Sequence, residues 1–391
     1  MKKICVFLCF SLATGHISAQ DSILMSYKRN FARASLTEKL SVLSDAATDS
    51  YASAFIGQLY GFALQFSLSE AYLLADDADM IALTKAAARG AGQTGERDSA
   101  ETLLNLCSLY SDSSVRVEIL NALATTAQGN VRVIADLNQL LDDQNNAFIA
   151  GMDPDYQTLQ AGLATLGALG DESSYLVLFS AYSLPYPGVI TEAARLALGR
   201  IRGNYDAFLA GVIRDSPPHD KLKAFSLVAD NAPHDVQIPV ASKNILAQTA
   251  LDMALSADDP ASYTLRYEAV RVLTGLGWTG ASEPVVRHFY QVQTDYAHGT
   301  AVKGRFIEAI ACLGAMRTPE AAQILAIQFG LFNSQTEQTG GFDEDILLAT
   351  INALGDIGDK VAFDHLFYVN FLPYSNEVKA AAKTALAKLK W

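Results

Sequence analysis

The chain has 391 residues, half of them hydrophobic and 18% charged, and its 29 Lys and Arg against 42 Asp and Glu give a net charge of −13. This composition excludes an intrinsically disordered chain, and the acidic balance argues against nucleic acid and anionic membranes as partners. Abundant Ala and Leu with only 11 Pro favour helix.

Residues 1–20 have the form of a secretory signal. Lys2 and Lys3 make a basic start, Ile4 to Ala13 a short apolar core, and Ser18 and Ala19 the small residues of a cleavage site. The run is too short to span a bilayer, and no other stretch of about eighteen apolar residues follows. The expectation is export, cleavage near Ala19 or Gln20, no integral membrane span, and a soluble periplasmic or cell-envelope protein. Cys9 lies within the apolar core and not at its end, against a lipid anchor. Cleavage removes two Lys and no acid, leaving 27 basic and 42 acidic side chains, a balance of −15. Cys107 and Cys312 both sit in apolar helical text, which predicts two free, buried thiols.

Residues 21–85 read as a divergent helical cap. Ser35-Leu-Thr-Glu38 is a capping box, and Leu36, Leu40 and Leu43 follow as an apolar stripe at helical spacing. Tyr51 to Leu74 is rich in apolar and aromatic residues and predicts one or two buried helices.

From about Ala86 an Ala/Leu-rich helix, a Gly-containing turn and a second amphipathic helix recur. The turns read as Ala86–Gly92, Asn121–Gly129, Thr165–Asp171, Ala197–Gly203, Gly275–Gly280, Cys312–Met316 and Ala353–Asp359, with a degraded copy at Leu227–Asp235. The last repeat, from Ile346, overlays an upstream one without a gap: Gly355 falls on Gly167, Gly358 on Gly170, Asp359 on Asp171, and Leu372-Pro373-Tyr374 on Leu184-Pro185-Tyr186. The first glycine of each turn is expected to stop the first helix, and Asp171, Asp359 and Thr318 to cap the second. Leu347, Ile351 and Leu354 stripe the first helix of the last copy, and Ala362, Leu366 and Val369 its second. Two insertions break the rhythm: Pro233–Asn244 reads as a loop or a strand-like crossing, and Asn333–Asp343 as a flexible loop.

Two helices per step of roughly 32 to 46 residues is the signature of a HEAT-type array. The text resembles the HEAT-repeat family, in particular its short bacterial variety, whose turn pattern is best kept at Ala353–Ala362. The resemblance covers residues 86–391 and implies an all-α, right-handed α-solenoid (an α-α superhelix) of about seven helix pairs. It also implies an extended protein-binding surface.

No chemistry stands out. His219, His234, His288, His298 and His365 form no metal spacing, and no nucleophile elbow or phosphate loop is present. The acidic clusters Asp76–Asp79, Asp142–Asp143, Asp258–Asp259 and Asp343–Asp345 read as solvated helix ends. Aromatics recur in the second helices, which line the concave face in the family. There Tyr182, Tyr186, Tyr368 and Tyr374 are the candidate partner-binding residues, with Phe179 and Phe367 assigned to the core. The reading is an exported, non-catalytic scaffold without cofactor or metal that engages a protein or peptide. Such repeats also resemble those of phycobilin lyases, which implies an alternative as a lyase or lyase-chaperone on a chromophore-bearing protein. A structural envelope spacer is a third.

Overall fold

The computed structural model describes residues 21–50, 55–229 and 238–390. The signal segment at 1–20 lies outside the described residues. Among the described residues every regular element is helical, apart from one isolated bridge between Asp359 and Lys390. No described helix is long and apolar enough to cross a membrane.

The chain divides into two compact units, one ending at Gly203 and one starting at Asn204. The first holds α1 (21–33), α2 (Leu36–Thr48), α3 (Ile56–Leu74), α4 (Ala78–Thr94), α5 (Ala100–Leu109), α6 (Ser113–Thr126), α7 (Val131–Ile149), α8 (Tyr156–Leu169), α9 (Tyr175–Ser183) and α10 (Gly188–Leu198). The second holds α11 (Tyr205–Asp215), α12 (Pro218–Ala229), α13 (Val240–Ala254), α14 (Pro260–Leu276), α15 (Ser282–Ala297), α16 (Lys303–Ala315), α17 (Pro319–Thr339), α18 (Glu344–Ile357), α19 (Phe363–Tyr368) and α20 (Asn376–Ala387).

Each unit is a two-layer stack. In the first, α4 packs on α6, α6 on α8 and α8 on α10, while α3, α5, α7 and α9 form the other layer. In the second, α12, α14, α16, α18 and α20 stack in order, with the odd-numbered helices alongside. The apolar side chains of these helices are buried mostly against neighbouring helices of the stack. The stripes Leu347/Ile351/Leu354 and Ala362/Leu366/Val369 are buried as the spacing predicts. The boundary expected at 85/86 falls inside α4.

The paired glycines divide their work differently from the sequence expectation. At Gly92, Gly167, Gly314 and Gly355 the first lies within the helix, where the next even-numbered helix approaches too closely for a side chain. A Cβ on Gly167 would stand 2.8 Å from Ala197 Cα, and one on Gly355 would stand 2.9 Å from Ala385 Cβ. Gly92 meets Ala122 and Gly314 meets Ala353 in the same way. The second glycine ends the helix: Gly170 and Gly358 take φ of 69° and 74°, where L side chains are strained. Their carbonyls accept from Arg202 and Lys390 N–H at 2.8 Å each. Asp171, Asp359 and Thr318 cap the second helices as expected, accepting from the amides of Ser173, Val361 and Ala321.

Several local expectations are corrected. Ala86–Gly92 is helical, and the turn comes at Gly95 with φ 66°. Asn333–Asp343 is not a loop through its length, because α17 continues to Thr339. Its polar-looking text buries Asn333 and Thr336, and Phe342 stacks on Phe332 at 4.3 Å. In the other insertion, Pro233–Asn244, residues up to 237 lie outside the described residues and Val240–Asn244 is already helix.

The capping box at Ser35/Glu38 is present. The stripe after it is rotated, with Lys39, Leu43 and Ala46 buried and Leu40 exposed. The buried Lys39 ammonium donates to the carbonyls of Phe31 and Ala34, closing the end of α1. It also lies 4.6 Å from the centroids of both the Phe31 and Phe66 rings.

Candidate binding surface

The four candidate tyrosines part into two groups. Tyr186 and Tyr374 are buried, and each clamps one helix to the next. Tyr186 Oη donates to Asn145 Oδ1 at 3.2 Å, and Asn145 Nδ2 donates to the Val177 carbonyl at 3.2 Å. Tyr374 Oη donates to Asn333 Oδ1 at 3.0 Å, and Asn333 Nδ2 donates to the His365 carbonyl at 3.1 Å. All three positions of the second clamp lie at the offset that separates Gly355 from Gly167, so the internal repetition extends to a buried hydrogen-bond network. The Leu-Pro-Tyr motif delivers that tyrosine from the loop after the second helix. Burial pushes the Tyr186 hydroxyl up to about 12, and burial raises Tyr374 as well. Tyr182 is buried too, 6.3 Å from Phe179. These three rings lie within the packing and offer a partner almost no surface.

Tyr368 is different, with 40% of its surface exposed and its hydroxyl donating to Glu337 on α17. Its apolar neighbours are exposed as well. Phe367, assigned to the core from sequence, is about half exposed, and Phe371 is 69% exposed. Phe363 stacks on Phe367 at 5.8 Å, and Phe367 meets Phe371 edge-on at 5.7 Å. Ile327 and Leu331 on α17 and Tyr290 on α15 are exposed from the same layer. The sequence carried a signal for this strip: α17 has apolar residues at 327 and 331 on the side away from its buried Leu325, Phe329 and Phe332. A helix apolar on two faces has a second surface to cover.

Sequence reasoning also missed a buried polar pair between α14 and α15. Arg266, 5% exposed, donates from Nε to Nδ1 of the fully buried His288 at 2.7 Å. Burial, together with Arg266 and Arg305, holds the His288 imidazole down at about 3, so it is neutral in the fold. Arg305 lies over the Tyr267 ring at 3.8 Å. Arg266 Nη2 and His288 Nε2 are buried and find no hydrogen-bond partner among the described residues.

Cys107 and Cys312 are free and buried, and burial raises both thiols to about 11. Among the described residues no group of three or more His, Cys, Asp and Glu could hold a metal ion.

No protein-family profile and no curated protein matches the chain. Among solved structures, the crystal structure of an engineered protein is similar at 14% identity. The match covers 93% of this chain and 98% of that one with a TM-score of 0.37. Similarity at this level supports no inference about function.

Proposed function

We propose that the chain is an exported, non-catalytic binding protein of the periplasm or cell envelope, built from HEAT-like helix pairs, which holds a protein or peptide on its second-helix layer. The array is a right-handed solenoid of about seven pairs, with residues 21–85 as its N-terminal cap. The observation that carries this reading is the cluster of exposed aromatic side chains Phe367, Tyr368 and Phe371, on α19 and the turn after it, beside an α17 that also exposes Ile327 and Leu331. Exposed aromatics grouped on one face suit a partner interface, because they bury large area with few rotors to freeze. Of the four tyrosines picked from sequence, Tyr368 belongs to this surface.

The test places a photo-crosslinking residue at Tyr368 or Phe371 and, as a control, at exposed Val189, then exposes each variant to envelope extract. A single partner crosslinked from 368 and 371 but not from 189 is the expected result. Equal crosslinking from all three positions, or none from any, overturns the reading.

A further inference from the structure

We propose that the cleft between the loop before α14 and the α15 helix takes a basic peptide segment, its main-chain carbonyl on Arg266 and its cationic side chain among Asp258 and Asp295. This rests on the peptide-binding reading above and names a second contact point with its own chemistry. The cleft encloses about 360 Å³ and is walled by Asp258, Asp259, Tyr263, Arg266, Gln291 and Asp295. Three carboxylates to one guanidinium make it an attractive place for a cation and a poor one for an anion.

Arg266 is what distinguishes the cleft from an acidic surface. Its side chain is buried yet lines the cleft, makes no salt bridge among the described residues and hydrogen-bonds there only through Nε, to His288; Nη2 is closed off from solvent, so a ligand meets the part of the side chain that lines the cleft. A buried guanidinium is strongly favoured to hydrogen-bond, and leaving an N–H unmade is costly. Burial disfavours the charged guanidinium, and Tyr267, Asp295 and Tyr263 offset that only in part, with no ion pair to Asp295. A peptide carbonyl entering the cleft would give the cleft-lining part of the Arg266 side chain an acceptor, and Asp295 on the same wall would take its N–H.

The remaining walls suit a basic side chain. Asp259 is committed to capping α14, accepting from the amides of Ala261 and Ser262, whereas Asp258 and Asp295 are in no ion pair among the described residues. Tyr263 is half exposed and held edge-on against Tyr267 at 4.8 Å, which fixes its ring as a platform for a guanidinium or ammonium. The volume is at the small end for a ligand site, enough for one long side chain and its flanking amides.

The experiment measures fluorescence anisotropy of short fluorescein-labelled Gly/Ser peptides with a central Arg pair, a central Lys pair or a central Glu pair, titrated with the full chain. The Arg and Lys peptides should bind and the Glu peptide should not. Asp258→Asn with Asp295→Asn, and separately Tyr263→Ala, should each weaken the Arg peptide about tenfold. Circular dichroism confirms that each variant folds. Asp76→Asn with Asp79→Asn, an acidic pair elsewhere on the surface, should leave affinity unchanged. Equal weakening by that control pair would mean diffuse charge attraction and overturn the site, as would no binding of the basic peptides. Free arginine competing as well as the peptide would assign the cleft to an amino acid and overturn the peptide. None of these failures touches crosslinking at Tyr368 and Phe371, which tests the binding reading on its own.

Discussion

At the scale of single residues, the two Asn–Tyr clamps are the clearest points of specification. In each clamp the buried tyrosine hydroxyl, the amide oxygen and the amide nitrogen all have a partner. Tyr186→Phe should cost about 1 kcal/mol in chemical denaturation, and a double-mutant cycle with Asn145→Ala should show coupling of about 1 kcal/mol. The pair Tyr374 and Asn333 should behave alike; additive effects at both places would remove the clamp from the account. His288 predicts a pH dependence. Its folded value, about 3, is below the ordinary 6.5, so the fold favours the neutral ring, its contribution is complete above about 6.5, and it is lost as pH falls toward 3. The groups facing it are Arg266, Arg305 and the edge of Tyr267, and the two cations work in the same direction as burial. The acid limb of a stability–pH profile should therefore be shallower in His288→Phe than in the natural chain, and parallel limbs would show that other groups dominate it.

At the scale of helices, glycine does two jobs that look alike in sequence. Gly167→Ala or Gly355→Ala inserts a methyl where the next helix stands within 3 Å, and should cost about 1–3 kcal/mol through overpacking. Gly275→Ala, in the last turn of α14 with open space around it, should instead stabilise by about 0.4–1 kcal/mol. Thermal melts of the three variants decide the matter, and a uniform sign would refute the division. The paired helices were legible because apolar spacing and the glycine-rich turns recur in register. The roles within the turn were not, since close helix approach is a tertiary property that leaves the same residue type as a left-handed cap. The clamps were half legible: Leu-Pro-Tyr repeats visibly, but its partners Asn145 and Asn333 stand 41 residues upstream in text that reads as solvated. Tyr186 and Tyr374 were picked as surface groups for that reason. The stripe Leu36, Leu40 and Leu43 was misplaced around the helix for a similar reason, because a lysine at 39 gives no sign in sequence that two rings and two carbonyls receive it.

At the scale of the molecule, the excess of acid sets the character of any encounter. With a net charge of −13, association of a basic peptide should slow markedly as salt rises from about 0.1 to about 1 M, where screening shortens from about 10 to about 3 Å. A rate indifferent to salt would exclude steering by the chain's charge. The two thiols carry a consequence of another kind. Beyond residue 20 the chain has one cysteine in the unit ending at Gly203 and one in the unit starting at Asn204, each sealed in its own core. They are built-in clocks for the opening of each half. In a thiol-modifying reagent at mild denaturant, followed by peptide mass mapping, cooperative unfolding would tag both positions at one rate. Independent opening would instead let chains marked once accumulate, and the identity of the marked cysteine would name the half that yields first.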